Sequence, residues 1–202
     1  MATTAHTFRV VVPAYNAAQT IGPCIEGLLN AGFRNDEIIV VDDGSSDATK
    51  QIAVETGVSV LANKGQSGTS AARARGVAAS SSSHVIFVDA DVVVYPNVKS
   101  IIATHFANDP HLKALFGSYD ADPSAESTVS FYRNFLNHFV NQKNDGLIES
   151  FWAGFGIVKR DVFEQLGGFN SEFDRFEDVE FGSRLVCMGA RIRRPQIGQI
   201  QS

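Results

Sequence analysis

Two aspartates one residue apart close an apolar run, Val85-Ile86-Phe87-Val88-Asp89-Ala90-Asp91. Carboxylates at i and i+2 share one side of an extended chain, so Asp89 and Asp91 concentrate negative charge. Such a pair is costly without a positive partner, and a divalent cation carrying phosphate oxygens suits it. The plainer reading is a strand end whose aspartates cap the next turn and helix. Asp-x-Asp is a weak signal by itself. Acids recur, however, at Asp42/Asp43 after a second apolar run and at Glu177/Asp178 where a loop enters a helix. Each set has a structural excuse, because the helix dipole stabilises acids at amino termini. Their recurrence beside Arg73 and the Gly-rich turn Asn63-Lys64-Gly65-Gln66-Ser67-Gly68 argues against coincidence.

The elements that must position these acids alternate between strand and helix. Phe8 to Val12 reads as a strand closed by Pro13, followed by a helix over Ala17 to Ala31 with Ile21, Ile25, Leu28 and Leu29 at helical spacing. Glu37 to Val41 is a second strand, and Ser46 or Asp47 can cap the helix that carries Thr49, Ile52 and Ala53. Val58 to Leu61 is a third strand, and small residues from Thr69 to Ala79 form the next helix. Ser80 to Ser83 then lead into the strand that ends at Asp89. A helix from Pro96 to Ala107 and a strand from Leu112 to Ser118 follow. Apolar runs linked in this way predict an α/β fold, a mostly parallel sheet flanked by helices on both faces. In such sheets ligands bind at the carboxyl edge, where Asp42/Asp43 and Asp89/Asp91 both emerge.

The second half differs. Glu126 to Gln142 reads as a helix with Val129, Tyr132, Phe135, Leu136, Phe139 and Val140 on one face. Ten of the 15 phenylalanines lie between Phe131 and Phe181, a density expected mainly in a core. The sharper reading is an apolar surface for a lipid-linked acceptor or a peripheral membrane contact. Phe151 to Val158 reads as a strand whose glycines admit something close. A short helix over Arg160 to Leu166, a helix opened by Phe176-Glu177-Asp178 and a basic strand over Arg191 to Arg194 complete the chain.

At 202 residues the chain suits one domain with a full core. A net charge of -5 argues against nucleic acid as a partner. Cys24 and Cys187 suggest no disulfide framework, so a reducing, cytoplasmic location is expected, at the inner membrane face if the acceptor is lipid-linked. No amino-terminal signal is visible, and no stretch approaches the about 20 apolar residues of a membrane span. His84, His105, His111 and His138 lack ligand spacing and read as satisfied or solvated. Lys64 to Gly68 lacks the order of a phosphate loop.

In order along the chain stand Val11-Val12-Pro13-Ala14-Tyr15-Asn16, Val40-Val41-Asp42-Asp43-Gly44-Ser45-Ser46-Asp47, Ser70-Ala71-Ala72-Arg73, Asp89-Ala90-Asp91 and Glu177-Asp178. Together they resemble the successive motifs of the family 2 glycosyltransferases over about residues 8 to 194. The resemblance implies a GT-A fold and one catalytic domain over 1–202, with 1–118 as the nucleotide-binding half and 119–202 as the acceptor-side half. It implies inverting transfer from a nucleotide-diphosphate sugar, UDP-linked by expectation, to a saccharide, lipid-linked or other hydroxyl acceptor. Pro13, Ala14 and Tyr15 would wrap base and ribose. Asp42 or Asp43 would accept from the base imide, and Arg73 would lie near base or phosphate. Asp89 and Ala90 would line the sugar side, while Asp91 would bind Mn²⁺ or Mg²⁺ on the diphosphate. Asp178 would be the general base, with Glu177 orienting or contacting the acceptor. Trp152, Ala153 and Gly154 would floor the sugar pocket.

There are departures. Ala74 stands where the family often has Asn, and relatives usually continue beyond the position of Arg194. A shortened or minimal catalytic domain is therefore expected, with a catalytically impaired nucleotide-sugar-binding domain as the alternative. A nucleotidyltransferase would place a Gly-rich signature after the first strand, where Pro13-Ala14-Tyr15-Asn16 stands instead.

Overall fold

The computed structural model describes residues 6–117, 150–173 and 176–193, and within them seven strands form one sheet in the order β3-β2-β1-β4-β6-β5-β7. Along the chain these are β1 (Phe8–Ala14), β2 (Ile38–Asp42), β3 (Ser59–Ala62), β4 (His84–Val88), β5 (Leu112–Phe116), β6 (Phe155–Lys159) and β7 (Arg191–Arg193). The helices are α1 (Ile21–Asn30), α2 (Thr49–Glu55), α3 (Thr69–Ala78), α4 (Val98–Asn108), α5 (Arg160–Gln165) and α6 (Glu177–Cys187). Every strand pair is parallel except the two that β6 makes, with β4 and with β5. The mostly parallel α/β sheet expected from the alternation is therefore present.

Side chains alternate across this sheet, so each strand feeds two cores. Val10, Val12, Ile86 and Val88 face one core with α1, α2 and α4. Val11, Val85 and Phe87 face the other with α3, α5 and α6. Burial on both sides explains why the strands read as continuous apolar runs. Phe151, Phe155, Phe163, Phe169 and Phe181 are buried, whereas Phe173 and Phe176 are exposed.

The helix expected from Ala17 starts at Ile21 and the one expected from Pro96 at Val98, and three further departures concern the sheet edge that carries the acids. β1 continues through Pro13 to Ala14, where it pairs with β2; its ladder to β4 ends at Val11–Phe87. A missing N–H at Pro13 thus falls past the last pair on the β4 side. The strand expected from Phe151 begins only at Phe155, because Phe151 and Trp152 fold back over their own strand. A Cβ on Gly154 would lie 2.2 Å from the Trp152 ring, and one on Gly156 would lie 2.5 Å from the Phe151 ring. Asp89 to Val92 is a turn, closed by the Val92 N–H donating to Asp89 O at 3.0 Å, rather than an extended segment. The helix expected over Glu126 to Gln142, the strand end at Ser118 and Arg194 lie outside the described residues.

Helix α3 sits close on β1 because it presents Gly76 to Val11, whose Cγ1 would lie 2.3 Å from an added Cβ. Val11 is fully buried and β-branched, so it has little room to yield. Gly76→Ala is expected to lower the unfolding free energy by about 1–3 kcal/mol through overpacking. Chemical denaturation checks this, and an unchanged midpoint would refute the close approach.

Candidate active site

The order of strands reverses direction between β1 and β4, the place where open α/β sheets bind ligands. The loop after β1 is laced to the loop after β2. Asn16 adopts a left-handed backbone, φ 49°, which Asn tolerates better than most residues. Its Oδ1 accepts from the Ser46 N–H at 2.9 Å, and its own N–H donates to Ser45 Oγ at 3.0 Å. The Ala17 N–H donates to Thr49 Oγ1 at 2.7 Å, and the Ala18 N–H donates to Asp47 Oδ2 at 3.1 Å. Asp47 also accepts from the Thr49 N–H at 3.0 Å, so Asp47 rather than Ser46 orders the entry to α2.

Between these loops and the turn after β4 lies a cleft of about 490 Å³, lined by Pro13, Tyr15, Asn16, Ala17, Thr20, Thr69, Arg73, Asp89, Ala90, Asp91 and Glu177. That volume suits a small-molecule or nucleotide ligand. Pro13, Tyr15, Arg73, Asp89, Ala90, Asp91 and Glu177 were expected on sequence grounds. Asn16, Ala17, Thr20 and Thr69 were not singled out, since Asn, Ala and Thr in loops carry little signal of their own.

Asp42 and Asp43 are buried and absent from that lining. The Asp42 carboxylate accepts from the Ser45 N–H at 3.3 Å. Asp43 accepts from Asn63 Nδ2 at 2.6 Å, from the Ser67 N–H at 2.9 Å and from the Gly68 N–H at 2.8 Å. Asp43 therefore holds the Gly-rich turn against the sheet edge and sets the start of α3.

Arg73, expected near base or phosphate, is 3% exposed with its guanidinium committed to protein acids. It donates to Asp89 Oδ1 at 2.7 Å and to Glu177 Oε1 at 2.5 Å. Glu177 is 8% exposed. Asp91 is exposed at the rim, and its carboxylate makes no hydrogen bond or ion pair among the described residues.

The antiparallel course of β6 brings the residues before it to this same edge. Asp89 donates its N–H to Gly154 O at 3.0 Å, and the Ala153 N–H donates to Asp178 Oδ2 at 3.3 Å. Trp152, Ala153, Gly154 and Asp178 thus reach the same edge as Asp89, although they are not among the residues that line the cleft. Burial pushes the Asp178 carboxyl above the usual carboxylate range; the Ala153 and Val179 N–H groups oppose this, and the Glu177 charge adds to it. Burial likewise raises Asp89, against the Arg73 guanidinium. A carboxylate so shifted is a better proton acceptor.

No group of three or more His, Cys, Asp or Glu among the described residues could hold a metal unaided. Mg²⁺-like cations instead use one or two carboxylates together with substrate phosphates and waters. Asp91, free at the rim of a nucleotide-sized cleft, fits that mode. His84, expected to be satisfied or solvated, is buried at the opposite sheet edge, and its Nε2 has no hydrogen-bond partner among the described residues. Burial lowers its pKa to about 4, so it stays neutral.

The doubly covered sheet carries its acid-rimmed cleft at the switch point, and its structural neighbours are glycosyltransferases of the GT-A fold. The glycosyl transferase family 2 model matches residues 9–167, and the chain belongs to that family. Similar proteins include glycosyltransferase GlyG of Streptococcus pneumoniae, 24% identical over 201 residues, covering 91% of this chain and 66% of that protein. The O-antigen chain rhamnosyltransferase RfbN of Salmonella typhimurium is 23% identical over 199 residues, covering 91% and 62%. Among solved structures, mannosyltransferase PcManGT from Pyrobaculum calidifontis, in complex with GDP-Man and Mn²⁺, superposes with a TM-score of 0.77 at 22% identity, covering 98% of this chain and 57% of that one. The chain thus spans no more than about two thirds of the length of these relatives. No described helix is long and apolar enough to cross a membrane.

Proposed function

We propose that the chain is the catalytic domain of an inverting glycosyltransferase, with 1–118 holding a nucleotide-diphosphate sugar and 119–202 serving the acceptor. The observation that carries this reading is the division within the acid pairs. Arg73 engages Asp89 and Glu177, which leaves Asp91 at the cleft rim without a partner among the described residues and Asp178, its carboxyl pKa raised by burial, at the same sheet edge. Pro13, Ala14 and Tyr15 would flank base and ribose, Asp42 and Asp43 would support the base end, and Trp152 to Gly154 would back the sugar.

Asp178 would take the proton of an acceptor hydroxyl as that oxygen attacks the sugar carbon. The bond to the diphosphate breaks in the same displacement, which inverts the anomeric centre. The developing oxocarbenium character is favoured by the nearby carboxylates. A Mn²⁺ or Mg²⁺ held at Asp91 would supply Lewis-acid stabilisation of charge on the leaving diphosphate. Support for a nucleotide-sugar donor comes from structural neighbours, including Staphylococcus aureus TarS in complex with UDP-GlcNAc, TM-score 0.72 at 20% identity. The acceptor would be a hydroxyl compound, whether a saccharide, a lipid-linked molecule or another alcohol.

A panel of UDP-, GDP- and dTDP-sugars with Mn²⁺, read as nucleoside diphosphate release with and without EDTA, tests the proposal. Metal-dependent release from one or more donors is expected. Binding of UDP with Mn²⁺ but no release across the panel would instead mark a nucleotide-sugar-binding domain impaired in catalysis.

A further inference from the structure

Arg73 links parts of the chain that are far apart in sequence. Its partner Glu177 lies 104 residues away at the start of α6, and Asp89 lies 16 residues away in the turn after β4. The Phe169 ring packs against the guanidinium, 5.5 Å from its carbon to the ring centroid. From Asp89 the connection runs through its N–H to Gly154 O, from neighbouring Ala153 N–H to the Asp178 carboxylate, and along the chain to Glu177. The circuit closes on itself, with Arg73 as its one cation.

The geometry points to Arg73 and Glu177 as a positioning pair: Glu177 acts on the reaction through Arg73 and not by gripping the acceptor. This rests on reading Asp178 as the base. Glu177 borders the cleft, so direct acceptor contact is the rival role. Burial and the 2.5 Å bond to Arg73 favour the positioning role, because a buried carboxylate so engaged would have to leave its counter-ion to grip a sugar. Through the pair, the donor-side turn at Asp89 and the acceptor-side start of α6 share one anchor.

Among the described residues, three charged groups face Asp178: Glu177 on its own helix, Arg73 from α3 and Asp89 from the turn after β4. Glu177 raises the Asp178 pKa and Arg73 lowers it, so removing each should move the base in opposite directions. Opposed shifts would show that both charges act on Asp178, and the split between donor hydrolysis and acceptor KM tests the positioning role itself.

Glu177→Gln is the primary variant, since Arg73 keeps Asp89 as counter-ion. Arg73→Met strands two acids and risks misfolding, so Arg73→Lys accompanies it. Donor hydrolysis, with water as acceptor, is compared with full transfer. Glu177→Gln is expected to reduce both by a similar factor, about tenfold or more, with acceptor KM nearly unchanged. The acid limb of its pH–rate profile should move down and that of Arg73→Met up, while that of Arg73→Lys, which keeps the positive charge, should stay near the wild type. A raised acceptor KM with donor hydrolysis intact would overturn the pair and assign Glu177 to the acceptor. If the wild-type protein neither turns over a donor nor binds UDP with Mn²⁺, the functional reading fails, and hydrogen exchange then judges the pair. Glu177→Gln should speed exchange of the Asp89 and Val92 amides about threefold or more. Unchanged exchange there would also overturn it.

Discussion

Asp178→Asn should reduce sugar transfer by about 10²–10⁴-fold, the usual worth of a positioned general base. The amide keeps the size of the side chain and can still accept from the Ala153 N–H, so the segment before β6 should keep its place. Binding of UDP with Mn²⁺ should consequently change little, and the loss should fall on kcat. Because the folded site raises the Asp178 pKa, the wild-type rate should drop as pH falls through a value above the ordinary aspartate range. The residual rate of the variant should lack that limb. Initial rates across pH, with the donor that the panel identifies, provide the measurement. Transfer by Asp178→Asn at wild-type rates would remove Asp178 from the mechanism.

Asp91→Ala should separate nucleotide binding from its metal dependence. Asp91 is exposed and supports no described neighbour, so the fold should be indifferent to its loss. Losing even an outer-shell partner of a metal costs about 10–100-fold in affinity, and a direct ligand should cost at least that much. Titration of UDP by calorimetry, with and without Mn²⁺, should show the metal's contribution collapse in the variant while weak metal-free binding persists. An undiminished response to Mn²⁺ would place the cation elsewhere.

Strand identity was legible because burial on both faces selects near-continuous apolar runs, as in Val85 to Val88 and Ile38 to Val41. The carboxyl-edge location of Asp42/Asp43 and Asp89/Asp91 followed from strand direction alone. The direction of β6 was not legible, since an apolar run has the same pattern read either way and its neighbours decide. Nor did local spacing show that Asp89 to Val92 forms a turn. Arg73 was legible as part of the site, but its attachment was hidden: a guanidinium beside phosphate and one clasping Glu177 look alike in sequence. Asp43 was similarly ambiguous, because its partners lie in the turn from Asn63 to Gly68 rather than beside it. The glycines at 154 and 156 correctly signalled close approach, although the groups that approach are Trp152 and Phe151 of the same segment.

The placement of β6 also bears on how the chain assembles. It lies between β4 and β5, yet it is made after both. As the chain emerges from a ribosome, β4 and β5 each expose an open edge until Phe155 to Lys159 arrive to join them. Unpaired edges of this kind invite pairing with other chains. Residues 119–202 thus supply the strand that joins β4 and β5 of the first 118 residues. Expressed apart, residues 1–118 would carry an unfinished seam through the middle of the sheet rather than a self-sufficient fold.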